Sequence, residues 1–288
     1  MRNGTQVIRR IRLGLHRRLS RLRDYLLFVR VQNLLGEMAL HPDFPASAGN
    51  ASQHLTQLLK GSQKSLSLLA RIGQELGGRE VNLPSSITEI FELDDESAKL
   101  QTLLDYYGSD KGSFHGYSAA YSSIINRLGK RNLRILEIGL GTNNTDTMSN
   151  MGADGKPGAS LRAWRDFCLD SSVFGCDIDD RILFSETGIK TFQLDQTSEN
   201  SWQKLKNQIK HDKFDLIIDD GLHSPLANLQ TILAAEDLVT PGGVIVIEDI
   251  AYQSFPIWQI LSILLENTWE VKLVQGNHAS LGILTRRA

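Results

Sequence analysis

The sequence predicts an α/β fold, in which a largely parallel seven-stranded sheet is covered by helices on both faces and preceded by a helical N-terminal extension. From residue 131 onward, short β-branched runs alternate with longer amphipathic segments. The runs are almost continuously apolar, as in strands that are buried on both faces. The last two runs are joined by four residues, "GNHA", which predicts an antiparallel hairpin at the sheet edge. The predicted strands are 133–139, 172–178, 190–195, 214–220, 243–249, 269–275 and 280–286.

Composition fits a globular protein of the cytoplasm. The chain has 288 residues, of which 41% are hydrophobic, enough for a sizeable core. Its two cysteines, Cys168 and Cys176, lack metal-ligand spacing, so neither a disulfide framework nor a zinc site is predicted. No apolar run approaches the roughly 20 residues of a membrane span. The stretch "YLLFV" is also too short for a signal-peptide core of about 7 to 15 residues.

The first thirty residues predict a basic amphipathic helix. Apolar residues recur every three or four positions from Ile8 to Leu26, and nine Arg against one Asp give this segment a charge of +8, which leaves −10 for residues 31–288. Such a helix could pack on a partner subunit through its leucine stripe, lie on an anionic membrane through residues 5–30, or contact nucleic acid. The first reading implies a homo-oligomer, and the second implies peripheral contact with the cytoplasmic membrane face.

Three regions are predicted along the chain. Residues 1–40 form the basic helix, residues 41–100 a helical N-terminal region, and residues 101–288 the α/β domain. Within the second region, helical periodicity is absent at 41–52 and again at 77–86, where Gly, Pro, Ser and Asn predict loops. The helices of this part of the chain are predicted at 55–76 and 88–107.

The end of the first strand predicts part of a cofactor site, because ligands of open α/β sheets bind outside the carboxyl ends of the strands. This strand ends in Glu137, and Gly139 and Gly141 follow in a turn where a ligand can approach the backbone closely. A dinucleotide fingerprint would need a third glycine where Asn144 stands, which argues against an NAD-dependent oxidoreductase.

Carboxylates at the next two strand ends predict an adenosine site. Asp177 is placed to accept both hydroxyls of a ribose, and Asp195 to accept the exocyclic amine of an adenine. A pyrophosphate would favour helix N-terminal amides with few acids nearby. This concentration of carboxylates favours a cationic ligand, and S-adenosylmethionine carries a sulfonium and an ammonium group. Gln196 and Asp219, which adjoin Asp195 and Asp220, are assigned to the same cofactor site.

The fourth and fifth strands predict a metal site. Parallel neighbours lie about 4.8 Å apart, so Asp220 should lie close to Glu248 and Asp249. Three unpaired carboxylates repel one another, and burying them without a partner is costly. Mg²⁺ or another hard divalent cation with oxygen ligands would remove the conflict. The alternative is neutralisation by a distant Arg or Lys, since none is adjacent in sequence.

A histidine follows the fourth strand at the expected rim of this site. His223 lies three residues after Asp220, and Ser224 and Pro225 predict the N-cap and the first position of the next helix. A rim imidazole beside a metal is suited to act as a general base, whereas a lone histidine is otherwise most often structural. His278, in the last hairpin, is the second candidate base.

Ordered motifs across residues 104–250 resemble a known family. They are "YGSDKG" with "HGY", then "LEIGLG", "SLRAWRDF", "DDGLH" and "VIEDI". Together they resemble the metal-dependent sugar O-methyltransferases of macrolide biosynthesis, the mycinamicin type. The same superfamily includes proteins named cephalosporin hydroxylases and rhamnosyl O-methyltransferases. This resemblance implies a class I, Rossmann-like methyltransferase fold with S-adenosylmethionine as the methyl donor.

The resemblance implies that Asp220, Glu248 and Asp249 are the metal ligands and that His223 is the general base. These are the residues that the strand ends also indicate. It also implies that Tyr107, Asp110, Lys111 and His115 belong to segments that fold over the cofactor. One departure is the loop 142–159, "TNNTDTMSNMGADGKPGA", which is longer than such connections usually are. We expect this loop to act as a substrate lid.

The leading hypothesis is an S-adenosylmethionine-dependent O-methyltransferase that acts on a hydroxyl, of a sugar in a glycan, a glycolipid or a glycosylated metabolite. A nucleic-acid methyltransferase that uses the arginine-rich helix is one alternative, but no Asn-Pro-Pro or Asp-Pro-Pro follows the fourth strand and no Pro-Cys nucleophile is present. A non-catalytic scaffold that binds S-adenosylmethionine is another, and it would leave the carboxylate cluster unexplained.

Overall fold

A computed structural model of the chain describes residues 51–80, 83–210 and 212–287. The basic helix predicted for residues 1–40 lies outside the described residues, so its contacts with a partner subunit, a membrane or nucleic acid stay predictions. None of the helices within these ranges is both long and apolar enough to cross a bilayer.

The seven predicted strands are confirmed. The described residues form a nine-stranded sheet in the order β1-β8-β9-β7-β6-β2-β3-β5-β4. Two short strands, β1 and β4, were not predicted, because two residues are too few to show a pattern. The strands are β1 Ser85–Ser86, β2 Arg134–Ile138, β3 Ser172–Asp177, β4 Ser185–Glu186, β5 Ile189–Gln193, β6 Phe214–Asp219, β7 Val239–Ile250, β8 Trp269–Gln275 and β9 Ser280–Arg286.

Strand direction also follows the prediction. The pairs β2 with β3, β2 with β6, β3 with β5 and β6 with β7 are parallel. Strand β9 is antiparallel to both of its neighbours, β7 and β8, so the final hairpin is confirmed. The hairpin of β8 and β9 lies beside β7. Its outer strand is β8, and only the two-residue strand β1 pairs on the far side of β8. Because β2, β3, β5, β6 and β7 run parallel, their carboxyl ends lie at one edge of the sheet.

The helices differ from the prediction at two boundaries. Helix α1 spans Ala51–Glu75, so residues 51 and 52 of the predicted loop 41–52 are helical, and the rest of that predicted loop lies outside the described residues. The helix predicted for 88–107 is interrupted at Asp94, whose carboxylate accepts a 2.7 Å hydrogen bond from the amide of Ser97 and so caps a new helix. The helices are α1 Ala51–Glu75, α2 Ile87–Ile90, α3 Asp95–Tyr107, α4 Ser118–Arg127, α5 Ala159–Phe167, α6 Glu199–Gln208, α7 Pro225–Ala235 and α8 Phe255–Leu264.

Residue contacts divide the chain into two units, 1–69 and 70–288. In the first unit, the described residues form the N-terminal part of α1. The second unit holds the whole sheet, and within it α3 packs on α4 and α5. The regions predicted at 1–40, 41–100 and 101–288 stay predictions.

The sheet is covered on both faces. Alternate residues of each central strand enter two different apolar clusters: Ile135 and Leu216 face one, whereas Leu136 and Ile217 face the other. All four side chains are fully buried, and each contributes about 1.5 to 3 kcal/mol of hydrophobic stabilisation. Burial on both faces explains why these strands read as continuous apolar runs in the sequence.

A bulge near the end of β7 shapes the functional edge. Ile247 pairs with Gly282 and Ile250 pairs with Ser280, so three steps along β7 match two steps along β9. The extra residue is a β-bulge, a feature that redirects side chains and is frequent beside active sites. Asp249 lies within it and has a φ of +54°, in the left-handed region that aspartate tolerates better than most residues do. The strand end therefore departs from regular alternation where the metal site was predicted.

Candidate active site

A cavity of about 470 Å³ opens at the carboxyl ends of the central strands. Its volume lies within the roughly 300 to 1,000 Å³ of typical ligand pockets. Asp177 and Asp195 line one end, and Asp220, His223 and Asp249 line the other. The predicted adenosine end and the predicted metal end therefore share one continuous space.

Two glycines shape the turn after β2. Gly139 has a φ of +94°, and a Cβ atom there would lie 2.0 Å from the carbonyl oxygen of Asp220. Glycine is thus required because the ends of β2 and β6 touch at this point. Gly141 has a φ of +73° and lines the cavity together with Gly139. Both glycines lie where the sequence placed them in the cofactor site.

Asp177 has a second task besides lining the cavity. Its two carboxylate oxygens accept hydrogen bonds from the amides of Leu140, at 2.8 Å, and Asp179, at 2.9 Å. Burial raises the pKa of Asp177, although these amides partly oppose the change. Because each carboxylate oxygen has two lone pairs, both can still accept a ribose hydroxyl. Asp195 accepts from the amide and hydroxyl of Thr197 through Oδ1 alone, which leaves Oδ2 for a ligand.

Asp219 and Gln196 support the site from behind. Asp219 is fully buried, and its carboxylate accepts hydrogen bonds from Gln196 Nε2, at 2.6 Å, and Asn228 Nδ2, at 3.2 Å. Gln196 Oε1 accepts from the amide of Leu222 at 2.9 Å. Gln196 borders the cavity, but its side-chain amide is committed to the turn after β6. Asp219 faces inward while Asp220 lines the cavity, and the predicted cofactor contact of Asp219 stays a prediction.

Three side chains converge at the metal end. Asp220, His223 and Asp249 each offer a ligand atom, and these atoms all lie within 4.8 Å of one another. Ser224 Oγ accepts from the amide of Ala227 and caps α7, so His223 lies on the rim just before the helix. Two carboxylates and an imidazole form a donor set that fits a divalent cation.

A buried lysine lies behind this cluster. Lys111 Nζ forms an ion pair with Asp220 Oδ2, lies 3.1 Å from Glu248 Oε2 and lies 3.5 Å from Glu137 Oε1. Its side chain is 1% exposed and does not line the cavity. The structure therefore places Lys111 as an internal counter-ion, and its predicted contact with a cofactor stays a prediction. The alternative prediction was that an Arg or Lys distant in sequence neutralises the carboxylates. Lys111 does so for Asp220 and Glu248, but within the described residues it forms no ion pair with Asp249.

Glu248 points toward this lysine, away from the three converging side chains. Tyr121 donates its hydroxyl hydrogen to Glu248 Oε1, and Lys111 donates to Oε2 at 3.1 Å. Burial raises the pKa of Glu248 well above its ordinary range, although the Lys111 charge opposes the change. For Glu248 to act as the predicted metal ligand, its carboxylate would have to leave Lys111.

Glu137 and Tyr107 also lie outside the cavity lining. Glu137 is fully buried, and its carboxylate accepts from Ser160 Oγ, at 2.6 Å, and from Trp164 Nε1, at 2.5 Å. Burial raises its pKa. Tyr107 donates its hydroxyl hydrogen to Asp166. Glu137 thus joins β2 to α5, and Tyr107 joins α3 to α5, while the cofactor contacts predicted for both residues stay predictions.

The predicted "HGY" segment supports Asp249. Tyr117 donates its hydroxyl hydrogen to Asp249 Oδ1 at 2.8 Å. His115 is buried, with Nε2 3.6 Å from Asp110 Oδ2 and Nδ1 3.6 Å from Asp249 Oδ1. Burial lowers the pKa of His115, but the two carboxylates more than offset this and leave it raised. Asp110 itself lines the cavity, whereas His115 is not among the lining residues. His278, the second candidate base, stacks on Phe114 at 4.3 Å and does not line the cavity.

The long loop 142–159 covers part of the cavity. Thr147, Met148 and Met151 are among its lining residues. Its anchor is Asp179, whose Oδ2 accepts from Thr142 Oγ1, at 2.6 Å, and from Asn144 Nδ2, at 2.8 Å. Asn144, which replaces the third fingerprint glycine, thus holds the loop. Asp179 was missed in the sequence, although its position two residues after the second strand end was a usable signal.

The strand order, with β9 antiparallel between β7 and β8, defines a class I, Rossmann-like methyltransferase fold. Solved structures agree. A structure titled as the MycE methyltransferase from the mycinamycin biosynthetic pathway, in complex with Mg and SAH, superposes with a TM-score of 0.51 at 24% identity, over 66% of this chain and 55% of that chain. A second crystal form gives a TM-score of 0.54 at 20% identity, over 85% and 62% of the two chains. The predicted fold class is confirmed.

Curated relatives confirm the resemblance to sugar O-methyltransferases. The chain is 29% identical over 153 residues to 8-demethyl-8-alpha-L-rhamnosyl tetracenomycin-C 2'-O-methyltransferase of Streptomyces olivaceus, over 53% of this chain and 38% of that protein. It is 31% identical over 145 residues to mycinamicin VI 2''-O-methyltransferase of Micromonospora griseorubida, over 50% and 34% of the two proteins. The matched stretch thus spans little more than a third of either relative. No protein-family model matches the chain.

Proposed function

We propose that this protein is an S-adenosylmethionine-dependent O-methyltransferase that acts on a sugar hydroxyl with the help of Mg²⁺ or another hard divalent cation. The observation that carries the proposal is the single cavity that joins Asp177 and Asp195 to the cluster of Asp220, His223 and Asp249. The names of the curated relatives and the Mg and SAH in the MycE structures support it. The acceptor sugar would belong to a glycan, a glycolipid or a glycosylated metabolite.

The donor end of the cavity has groups suited to each part of S-adenosylmethionine. Asp177 would accept the ribose hydroxyls while it holds its two backbone amides. The free Oδ2 of Asp195 would accept the adenine amine. Asp110 adds another carboxylate to the lining. These acids would attract the sulfonium and ammonium groups of the donor and would repel a pyrophosphate.

The metal end has groups suited to an acceptor hydroxyl. Asp220 and Asp249 would hold the cation, which when bound lowers the pKa of a nearby hydroxyl and fixes its position. Tyr117 would keep the Asp249 carboxylate oriented, and the loop 142–159, which lines the cavity, would limit the access of water. Neighbouring hydroxyls of a sugar ring would offer two oxygens at a suitable separation.

His223 would act as the general base. Its Nε2 would accept the hydroxyl proton while the acceptor oxygen forms a bond to the methyl carbon and the bond from carbon to sulfur breaks. The products are a methyl ether and S-adenosylhomocysteine, and the proton remains on the imidazole until solvent removes it. With the reactants held in one cavity, positioning supplies much of the rate enhancement.

Transfer of labelled methyl from S-adenosylmethionine into the glycan, lipid, protein and RNA fractions of a cell extract tests the proposal. We expect label in a glycan or glycolipid fraction, or in a glycosylated metabolite, and loss of that label with EDTA. Label in RNA, or label that is indifferent to EDTA, would contradict the proposal.

The His223→Ala variant tests the assigned base. Loss of a general base typically lowers the rate about 10²- to 10⁴-fold. We expect this loss with unchanged affinity for S-adenosylmethionine and for Mn²⁺. The matched control is His278→Ala, which removes an exposed imidazole outside the cavity lining. Loss of Mn²⁺ binding in His223→Ala would instead identify His223 as a ligand, and unchanged turnover would remove it from the mechanism.

A further inference from the structure

The ends of β2, β6 and β7 bring three carboxylates around one ammonium group. Glu137, Asp220 and Glu248 all lie within 3.5 Å of Lys111 Nζ. Glu137, Glu248 and Lys111 have side chains that are at most 1% exposed. Ionised groups buried in this way are strongly destabilising unless they are paired and hydrogen-bonded. The ammonium group of Lys111 is therefore a counter-charge for these three carboxylates, supplied by the protein itself.

The hydrogen bonds of the cluster distinguish Asp220 from the other two carboxylates. Glu137 is committed to Ser160 and Trp164, and Glu248 to Tyr121 and Lys111. Asp220 is 22% exposed, lines the cavity, and contacts Lys111 through Oδ2. The lysine thus holds one oxygen of Asp220 while the carboxylate still reaches the cavity.

The backbone around Lys111 is held in place from both sides. The amide of Tyr117 donates to the carbonyl oxygen of Lys111 at 3.0 Å, and the amide of His115 donates to that of Asp110 at 2.9 Å. Gly112 packs against α3, where a Cβ atom would lie 2.2 Å from Asp105 Oδ1. Asp105 Oδ1 also accepts from the amide of Ser113 at 2.8 Å. The ammonium group is thus delivered by an anchored turn.

We propose that Lys111 is a positioning residue that holds Asp220 and Glu248 in place before any cation binds, so that the metal enters a preformed site. The inference rests on the proposed function in one respect, that a divalent cation binds at Asp220 and Asp249. Sites whose metal is the sole counter-charge, as in zinc fingers, do not fold without it. Here the internal ammonium group replaces the metal in that structural role.

The test is thermal unfolding of the full chain and its Lys111→Met variant, each in excess EDTA and in saturating MnCl₂. Methionine has a similar length to lysine but no charge. In EDTA we expect Lys111→Met to melt about 10 °C below the wild type, because three buried carboxylates lose their cation. Mn²⁺ should raise the melting temperature at least twice as much in the variant as in the wild type, because it becomes the sole counter-charge of the cluster.

Two further variants control for the loss of a buried lysine. Lys206 is 9% exposed and pairs with Asp237 Oδ1 at 2.7 Å, and Asp237 does not line the cavity, so Lys206→Met removes a similar side chain elsewhere. We expect Lys206→Met to be less destabilised, with the wild-type response to Mn²⁺. The double variant Lys111→Met with Glu248→Gln removes one acidic side chain together with the lysine, and glutamine can still accept from Tyr121. The double variant should recover at least half of the lost melting temperature. It also keeps the proposal testable if Lys111→Met does not fold.

Three results would overturn the inference: equal melting of Lys111→Met and Lys206→Met in EDTA, an equal Mn²⁺ response in Lys111→Met and the wild type, or no recovery in the double variant. Methyl transfer by the wild type with and without EDTA separates this inference from the proposed function. If EDTA abolishes methyl transfer by the wild type, and Mn²⁺ raises the melting temperature equally in the wild type and Lys111→Met, the role of Lys111 is refuted and the proposed function is not. EDTA-insensitive transfer, beside a larger response in the variant, refutes the catalytic metal and supports Lys111.

Discussion

Tyr117→Phe is the substitution that best isolates how the protein orients a candidate metal ligand. The Tyr117 hydroxyl donates to Asp249 Oδ1 at 2.8 Å, and its side chain is fully buried. Burial, and then the negative charge of Asp249, raise the pKa of Tyr117, so the hydroxyl keeps its proton at neutral pH. Phenylalanine retains the ring and removes that one donor.

The expected loss of cation affinity in Tyr117→Phe follows from the charge of Asp249, which accepts the hydrogen bond of Tyr117. A hydrogen bond to a charged group contributes about 1.5 to 3 kcal/mol. Since about 1.4 kcal/mol corresponds to a factor of ten in an equilibrium constant, the loss would weaken cation binding about 10- to 150-fold. Loss of a group that orients a metal ligand typically costs about 10- to 100-fold in affinity, which agrees. Asp249 is 22% exposed and can recruit water, so we expect the lower part of this range.

The measurement is a Mn²⁺ titration of the purified protein, followed by electron paramagnetic resonance. Tyr107→Phe is the matched control, because Tyr107 also donates its hydroxyl hydrogen to a carboxylate, that of Asp166, outside the cavity lining. We expect a raised Mn²⁺ Kd in Tyr117→Phe and the wild-type Kd in Tyr107→Phe. The same Kd in both variants would refute the role given to Tyr117.

Three further predictions concern the frame of the site. Gly139→Ala should lower the free energy of unfolding in urea by at least about 2 kcal/mol, since it adds left-handed strain and a 2.0 Å clash with the Asp220 carbonyl. Gly242→Ala, which has a positive φ but no neighbour within 4 Å, should cost less, and equal losses would exclude the clash. Burial alone would raise the pKa of Asp110, but His115 and Lys111 lower it to about 2 from an ordinary 3.8. The resulting stabilisation, about 1 kcal/mol for a partly exposed group, is present above about pH 4 and is lost as the pH falls through 2. The unfolding free energy of Asp110→Asn should therefore fall less steeply across this pH window than that of the wild type. Wild-type acid sensitivity in that variant would contradict the assignment. Asp179→Ala should speed amide hydrogen exchange across 142–151, because the loop loses its anchor at Thr142 and Asn144. Unchanged exchange there would show that the loop is held by other contacts.

Much of the sheet could be predicted because its signals are local. Strands β2, β6 and β7 contain runs of apolar residues, and acidic residues stand at or just after the end of each run. The capping of α7 by Ser224 was predictable for the same reason, since the cap, the proline and the first helical turn are neighbours in sequence. Helix α3 was predicted with the wrong start, because the cap at Asp94 was not recognised.

The facing of adjacent carboxylates was harder to predict. Alternation along a strand implies that Asp219 and Asp220 point in opposite directions, but not which of them reaches the ligand. That choice depends on Gln196 and Asn228, which hold Asp219 from other elements. Likewise, the bulge that contains Asp249 depends on the register of β7 with β9, which no local pattern shows.

The sequence by itself determined the strands, their order of appearance along the chain, and the edge at which acidic residues collect, because apolar periodicity and turn residues act over a few positions. The tertiary structure alone decided which carboxylates face the cavity and which are neutralised. Lys111 reaches Asp220 from 109 positions away and Glu248 from 137 positions away, and no local pattern encodes such a contact. The physical reason is that a charge acts through space, so its partner is known only once the chain has folded.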